Sequence, residues 1–316
     1  MQTKVSRTAA GTVYDVVGSG ERTLLLLHGG SGRRQWFDPM AALLSDGMRM
    51  IRPDMPGHGE SAATPGSYRL EDSAAAMAEV LDHFGSPRCW VVGHSHGAHV
   101  GAVLAEDRPD LVAGLVIGDA PMDRDRMLAH MRSTYEINRS WRALTTLTSS
   151  ERDVRDGFLA LEVPTPRGTT ASVADLFGER HPYVREMAAS LFRHDGDFLD
   201  AVTQRFDETY HRLDAGLLGR LNVPVALLRA DPAAGGLLTD GDVKFVEQWV
   251  PDVRIEQLHD VGHGLQLQDP EQVAHALRKL IEGSWASGFP APCRPSGGRQ
   301  EGGSGEPCDA VRVRTC

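Results

Sequence analysis

Cys89-Trp90-Val91-Val92-Gly93-His94-Ser95-His96-Gly97 is the stretch that decides how this chain folds. Its opening apolar run suits a strand buried on both faces. The segment from His96 to Glu106 is compatible with a helix. Between them, Gly93-His94-Ser95-His96-Gly97 fits G-x-S-x-G, in which a serine on a sharp strand-to-helix turn presents its hydroxyl at the sheet edge. Glycines at both ends relieve crowding where such a turn strains the backbone. Alone the pentapeptide is a moderate signal, because glycine and serine are common, and a plain turn is its ordinary reading. The strand before it and the helix after it make Ser95 a candidate nucleophile.

The flanking sequence alternates strands with helices. Strands are expected at Val13–Val17, at Thr23–Leu27 before His28-Gly29-Gly30, and at Met48–Arg52 before Asp54-Met55-Pro56-Gly57-His58-Gly59. Residues 69–84 place Leu70, Ala74, Met77, Leu81 and Phe84 on one helical face. Further strands are expected at Leu111–Gly118, Pro224–Arg229 and Val253–Leu258, with helices at Asp242–Val250 and Pro270–Glu282. Alternation of this kind implies a mostly parallel, doubly wound sheet with helices on both faces. From Pro121 to Leu213 the pattern is helical without strand-like runs, interrupted at Pro164-Thr165-Pro166-Arg167-Gly168. An insertion there reads as a cap over the carboxyl edge of the sheet, where open α/β sheets place their ligands. Residues 283–316, rich in glycine, proline and polar residues, read as a disordered tail.

His28-Gly29-Gly30, Asp54-Met55-Pro56-Gly57-His58-Gly59-Glu60-Ser61, Gly93-His94-Ser95-His96-Gly97 and Gly262-His263-Gly264 stand in an order that resembles the α/β-hydrolase superfamily from about residue 12 to residue 282. The resemblance implies a core of residues 1–120 and 214–282, with residues 121–213 as a helical cap inserted after the sixth strand of that fold. It implies that His263, followed by Asp269-Pro270, is the base that a serine nucleophile needs. It also implies that the amides of Gly30 and His96 stabilise the oxyanion. His28 is expected to shape the Gly30 loop, His94 to fill a slot that is commonly histidine in this family, and His96 to line the pocket. Asp54 and Ser61 belong to a motif that mainly shapes a turn.

The acid that orients the histidine has two candidates in the required chain order. Asp231 follows the strand ending at Arg229, with which it could simply pair. Asp119 lies 24 residues beyond Ser95. That separation resembles a variant of the family found in some dehalogenases and the zearalenone lactonases. Asp119 is preferred, with Asp231 as the alternative; a strand-end aspartate capping the next segment is the plain reading of Asp119. Trp36, Met122, Trp141, Phe158, Phe177 and Tyr183 are candidates to line an apolar pocket under the cap, although core packing would use the same residues.

Composition narrows the function. The 316-residue chain is 41% hydrophobic and 24% charged, ordinary for a globular protein. A net charge of −10 without a basic run argues against a nucleic-acid partner. No apolar stretch approaches the ~20 residues of a membrane span, and no secretory signal is apparent, so a cytoplasmic location is expected. Of four cysteines, Cys293, Cys308 and Cys316 fit no zinc spacing, and Cys89 reads as a small core residue. His94, His96 and His99 lack a carboxylate at a spacing that would complete a metal site. No metal or organic cofactor is expected. The expected partner is a small, largely apolar carbonyl substrate bound by a monomer or homodimer. The expected reaction is ester or lactone hydrolysis through an acyl-enzyme. The alternatives are C–C bond hydrolysis, a cofactor-free lyase or cyclase step, or a non-catalytic binding protein on the same scaffold. Epoxide hydrolases and haloalkane dehalogenases are disfavoured, because they carry an aspartate where this chain has Ser95.

Overall fold

The computed structural model describes residues 4–86, 88–147, 150–164 and 169–282. The expected tail at 283–316 and most of the interruption at 164–168 lie outside the described residues.

The strands are β1 (Val5–Arg7), β2 (Val13–Val17), β3 (Arg22–Leu27), β4 (Met48–Pro53), β5 (Cys89–His94), β6 (Val112–Gly118), β7 (Glu162–Pro164), β8 (Thr170–Ser172), β9 (Val225–Arg229) and β10 (Arg254–Gln257). Eight of them form one sheet in the order β1-β2-β4-β3-β5-β6-β9-β10. From β4 to β10 every pairing is parallel, while β2 pairs antiparallel with both β1 and β4. The helices are α1 (Asp38–Leu44), α2 (Leu70–Phe84), α3 (His96–Asp107), α4 (Arg124–Ser133), α5 (Tyr135–Leu147), α6 (Glu151–Leu159), α7 (Val173–Phe177), α8 (Pro182–Phe192), α9 (Gly196–Gln204), α10 (Phe206–Thr209), α11 (Leu217–Arg220), α12 (Asp240–Trp249) and α13 (Pro270–Glu282).

Period-two geometry explains why β3 is apolar from Leu24 to Leu27. Leu25 and Leu27 join the α2 and α3 side of the core with Met77, Leu81, Val103 and Leu104. Leu24 and Leu26 join the other side with Met40, Leu44, Leu277 and Ile281 from α1 and α13. A strand covered on both faces has no polar face to show. α2 stops where Gly85 takes φ 68, and the amide of Ser86 closes on the Leu81 carbonyl, as at many helix ends.

Several elements differ from expectation. α12 begins at Asp240, because Thr239 and Asp242 exchange side-chain and backbone hydrogen bonds in a capping box ahead of Asp242. The 121–213 insertion is not free of strands: β7 and β8 form an antiparallel pair. Three-residue strands are too short to produce a period. α1 was not anticipated, although Pro39 in its first turn and the buried Met40, Ala41 and Leu44 mark it.

Register brings the functional segments together. Leu27 pairs with Gly93, His94 with Gly118, and Gly118 with Leu228. The residues that follow β3, β5 and β6, namely His28, Ser95 and Asp119, therefore leave the sheet at one carboxyl edge. The insertion is tied to the core near that edge. Trp36 Nε1 donates to Ser190 Oγ at 2.9 Å, the Asp195 amide donates to the Gly57 carbonyl at 2.8 Å, and Arg126 pairs with the buried Asp242 at 3.0 Å. Among the described residues no helix is long and apolar enough to cross a membrane.

Candidate active site

Ser95 occupies the turn from β5 into α3 with φ 52 and ψ −123. That is a left-handed region where a non-glycine residue is strained. The neighbouring strand holds it there, because the Ser95 amide donates to the Gly118 carbonyl at 2.9 Å. The next residue, Asp119, is likewise left-handed, with φ 46.

The Asp119 carboxylate is fully buried and reaches across the edge. His263 Nδ1 donates to Asp119 Oδ2 at 2.8 Å. The amides of Leu237 and Leu238 donate to the same carboxylate at 2.9 and 3.2 Å. Burial alone would raise the Asp119 pKa. The bond from His263, its charge and the two amides outweigh burial and hold the acid below its ordinary value. Asp231, the alternative acid, is not brought to His263. It caps the turn at Pro232–Ala234, taking bonds from the amides of Ala233 at 2.8 Å and Asp260 at 3.1 Å.

His263 is one-third exposed and adjoins the turn through His94. His94 Nε2 donates to the His263 carbonyl at 2.7 Å, and the two rings lie 4.8 Å apart. Burial, followed by the nearby His263, lowers the His94 pKa to about 3, so this ring is neutral.

The glycine loop lies directly over the serine. A Cβ on Gly29 would sit 3.2 Å from the Ser95 Cβ, and one on Gly30 would sit 3.9 Å from the His96 Cβ. His28 fixes this loop by donating from Nδ1 to the Gly29 carbonyl at 2.8 Å and accepting the Met55 amide at 3.0 Å. His58 does the converse, donating to the Pro56 carbonyl at 2.9 Å and accepting the Ser31 amide at 3.2 Å. The two buried rings cross-brace the Gly29 loop and the Asp54 motif. This role of His58 was missed, although the residue stood inside a recognised motif. Asp54 takes the Arg34 amide at 2.7 Å, the Arg34 guanidinium and the Glu60 amide, while Ser61 Oγ bridges the Asp54 carbonyl and the Val13 amide.

The remaining candidates are placed unevenly. His99 donates from Nε2 to the Pro121 carbonyl at 2.9 Å, and His96 Nδ1 meets Tyr210 Oη at 3.0 Å. With His94 bound to His263, the three rings engage separate partners. Trp36 lies 6.4 Å from the His94 ring, and Met122 is buried in the core. Trp141, Phe158 and Tyr183 pack with Val154, Met187 and Leu191 into the apolar cluster of the insertion. Phe177 does not line an interior. It is 38% exposed, because the five-residue α7 turns it outward against Tyr183 and His181. Tyr210 gave no signal in sequence, since only the return of the insertion brings it to His96.

A family model described as alpha/beta hydrolase fold matches residues 22–270. Over 110 residues the chain is 39% identical to a protein of Variovorax paradoxus named as carbamate hydrolase RutD, covering 34% of this chain and 41% of the relative. Over another 110-residue match it is 36% identical to a 2-hydroxy-6-oxononadienedioate/2-hydroxy-6-oxononatrienedioate hydrolase of Paraburkholderia phymatum, covering 33% of this chain and 38% of that one. The chain thus spans about two fifths of the length of these curated relatives. The crystal structure of E-2-(acetamidomethylene)succinate hydrolase superposes with a TM-score of 0.70 at 18% identity, covering 89% of this chain and all of the other, a likeness of fold.

Proposed function

The chain belongs to the α/β-hydrolase fold family, and from that premise we propose that it hydrolyses an ester or lactone of a small, largely apolar carbonyl compound through an acyl-enzyme on Ser95. The observation that carries this reading is the His263–Asp119 hydrogen bond beside the strained Ser95 turn. A buried carboxylate held by two amides fixes an imidazole by Nδ1 and leaves Nε2 for proton transfer.

Ser95 Oγ attacks the carbonyl carbon as its proton passes to His263 Nε2. The tetrahedral oxyanion accepts hydrogen bonds from the Gly30 and His96 amides. The C–O bond then breaks, and the leaving oxygen takes the proton from His263. A water deprotonated by His263 attacks the acyl carbon, and Ser95 departs with that proton. Residues 121–213 serve as the cap that shapes the substrate site, over a core of residues 1–120 and 214–282. The likeness to the 2-hydroxy-6-oxo acid hydrolase motivates C–C cleavage as the second reading, using the same residues.

The test is a fluorophosphonate probe, with the labelled peptide mapped, beside turnover of a panel of p-nitrophenyl esters, lactones and a diketone. Ser95 should carry the label, and Ser95→Ala should lose label and about three orders of magnitude or more of turnover. An unlabelled Ser95 with unchanged turnover in Ser95→Ala would overturn the proposal. The class of compound that turns over decides between ester and C–C cleavage.

A further inference from the structure

We propose that the His96 imidazole, set in one tautomer by Tyr210, selects acyl groups that carry an uncharged oxygen close to the scissile carbonyl. This rests on the reading of Ser95 as nucleophile and of the His96 amide as an oxyanion donor.

Tyr210 is almost fully buried, and its hydroxyl meets His96 Nδ1 at 3.0 Å. No other hydrogen-bond partner of that hydroxyl is found among the described residues. A buried phenol proton needs an acceptor, so the O–H donates to Nδ1. A neutral imidazole has one donor and one acceptor nitrogen, and Nδ1 is now the acceptor. The proton therefore stands on Nε2. Burial, then the neighbouring His99 and His28, lower the His96 pKa to about 3 and keep the ring neutral. His96 Nε2 is buried and has no partner among the described residues.

Comparison with its neighbours sets this nitrogen apart. His94 and His99 also have an unpartnered nitrogen, Nδ1. In both, Nε2 is bonded to a carbonyl and must carry the proton, so Nδ1 offers only a lone pair. In His96 the unpartnered atom is the N–H itself. Buried orphan donors are rarer than acceptors with a spare lone pair.

The His96 ring also borders the glycine loop, through Phe198. The Phe198 ring would sit 3.4 Å from a Cβ on Gly30 and packs edge-on against His96 at 5.0 Å between centroids. Phe198 also contacts the buried His194 at 5.3 Å, whose ring keeps at least one nitrogen open among the described residues. Two neutral imidazoles with open nitrogens thus flank one apolar ring next to the glycine loop. They offer hydrogen bonds and no charge, which fits a hydroxyl or keto oxygen better than a carboxylate. The reach of a single side chain, from the His96 amide to its own ring, confines that oxygen to the first carbons of the acyl group.

The experiment measures kcat/KM for the 2-hydroxybutyryl, 3-hydroxybutyryl and unsubstituted butyryl p-nitrophenyl esters. Ratios are taken within each variant, so losses of folded protein or of a shared oxyanion donor cancel. The wild type should favour one hydroxy ester by about tenfold or more. His96→Phe should bring the ratio to near unity, His96→Gln should restore part of it, and Tyr210→Phe should lower it several-fold. A wild type without preference, or ratios unmoved in both His96→Phe and Tyr210→Phe, would overturn the proposal and leave these residues as packing. Should the wild type neither accept the fluorophosphonate nor hydrolyse any of the three esters, the hydrolase reading itself falls.

Discussion

Asp119 is bonded to the His263 ring and Asp231 to the amides around its own turn, a difference that turns on single atoms. Asp119 Oδ2 receives both His263 Nδ1 and the Leu237 amide, while Asp231 is half-buried and takes the amides of Ala233 and Asp260. Asp119→Asn replaces one acceptor by an amide that cannot stabilise a charged imidazole and favours the wrong tautomer. It should lower kcat by about three to four orders of magnitude, whereas Asp231→Asn should stay within a few-fold. Equal, mild losses in esterase assays of the two variants would count against Asp119. The same carboxylate makes a stability prediction. Its folded pKa lies below the unfolded value of about 3.9, so its contribution is complete above that value and is lost as pH falls through the folded one. Asp119 was legible in sequence only as a preference, because its distance from Ser95 is a one-dimensional fact that takes its meaning from the resemblance to a family variant. The bonds of His58 and Tyr210 were not, because each joins segments far apart in the chain.

The first turn of α3 shows how closely an element boundary sets the site. Gly97 lies under the end of β3, and a Cβ there would stand 2.5 Å from the carbonyl oxygens of Leu27 and His28. A glycine inside an ordinary helix would be stabilised by alanine, by about 0.5–1 kcal/mol. Here the neighbours are backbone and cannot yield, so Gly97→Ala should destabilise by about 1–3 kcal/mol as overpacking does. It should also slow fluorophosphonate labelling, because α3 can retreat only by moving Ser95. Urea unfolding and labelling rates measure both effects, and a variant as stable as wild type would refute the close approach. The same scale explains which elements could be read. β3, β5 and β6 are buried on both faces and announce themselves as unbroken apolar runs. α13 carries an amphipathic pattern over 13 residues and was placed to its end residues. β1, β7 and β8 have three residues each, fewer than any period needs, and their pairing is decided by partners.

Across the whole molecule, an unusual number of buried histidines gather behind one sheet edge. His28, His58, His94, His96, His99 and His194 are all buried, and burial is the first cause lowering each of their pKa values. His94 and His96 fall to about 3, and His99 and His194 to about 4. At pH well above 6.5 these rings are neutral in both folded and unfolded chains, so they add no pH dependence there. Below that value the unfolded chain takes up protons that the folded protein refuses, and stability must fall with pH. Loss continues until the folded pKa values are reached. Carboxylates held below their ordinary values, such as Asp119, enter only below about pH 5. The interval from pH 6.5 to 5 therefore isolates the histidines. The urea midpoint should drop steadily across it, with a slope of several protons per molecule, and replacing His99 by Gln should make the slope shallower by about one proton. A midpoint that stays flat from pH 7 down to pH 5 would mean that these rings are protonated in the fold. The donor geometry argued for His96 would then fail with them, because a doubly protonated ring could not accept the Tyr210 hydrogen.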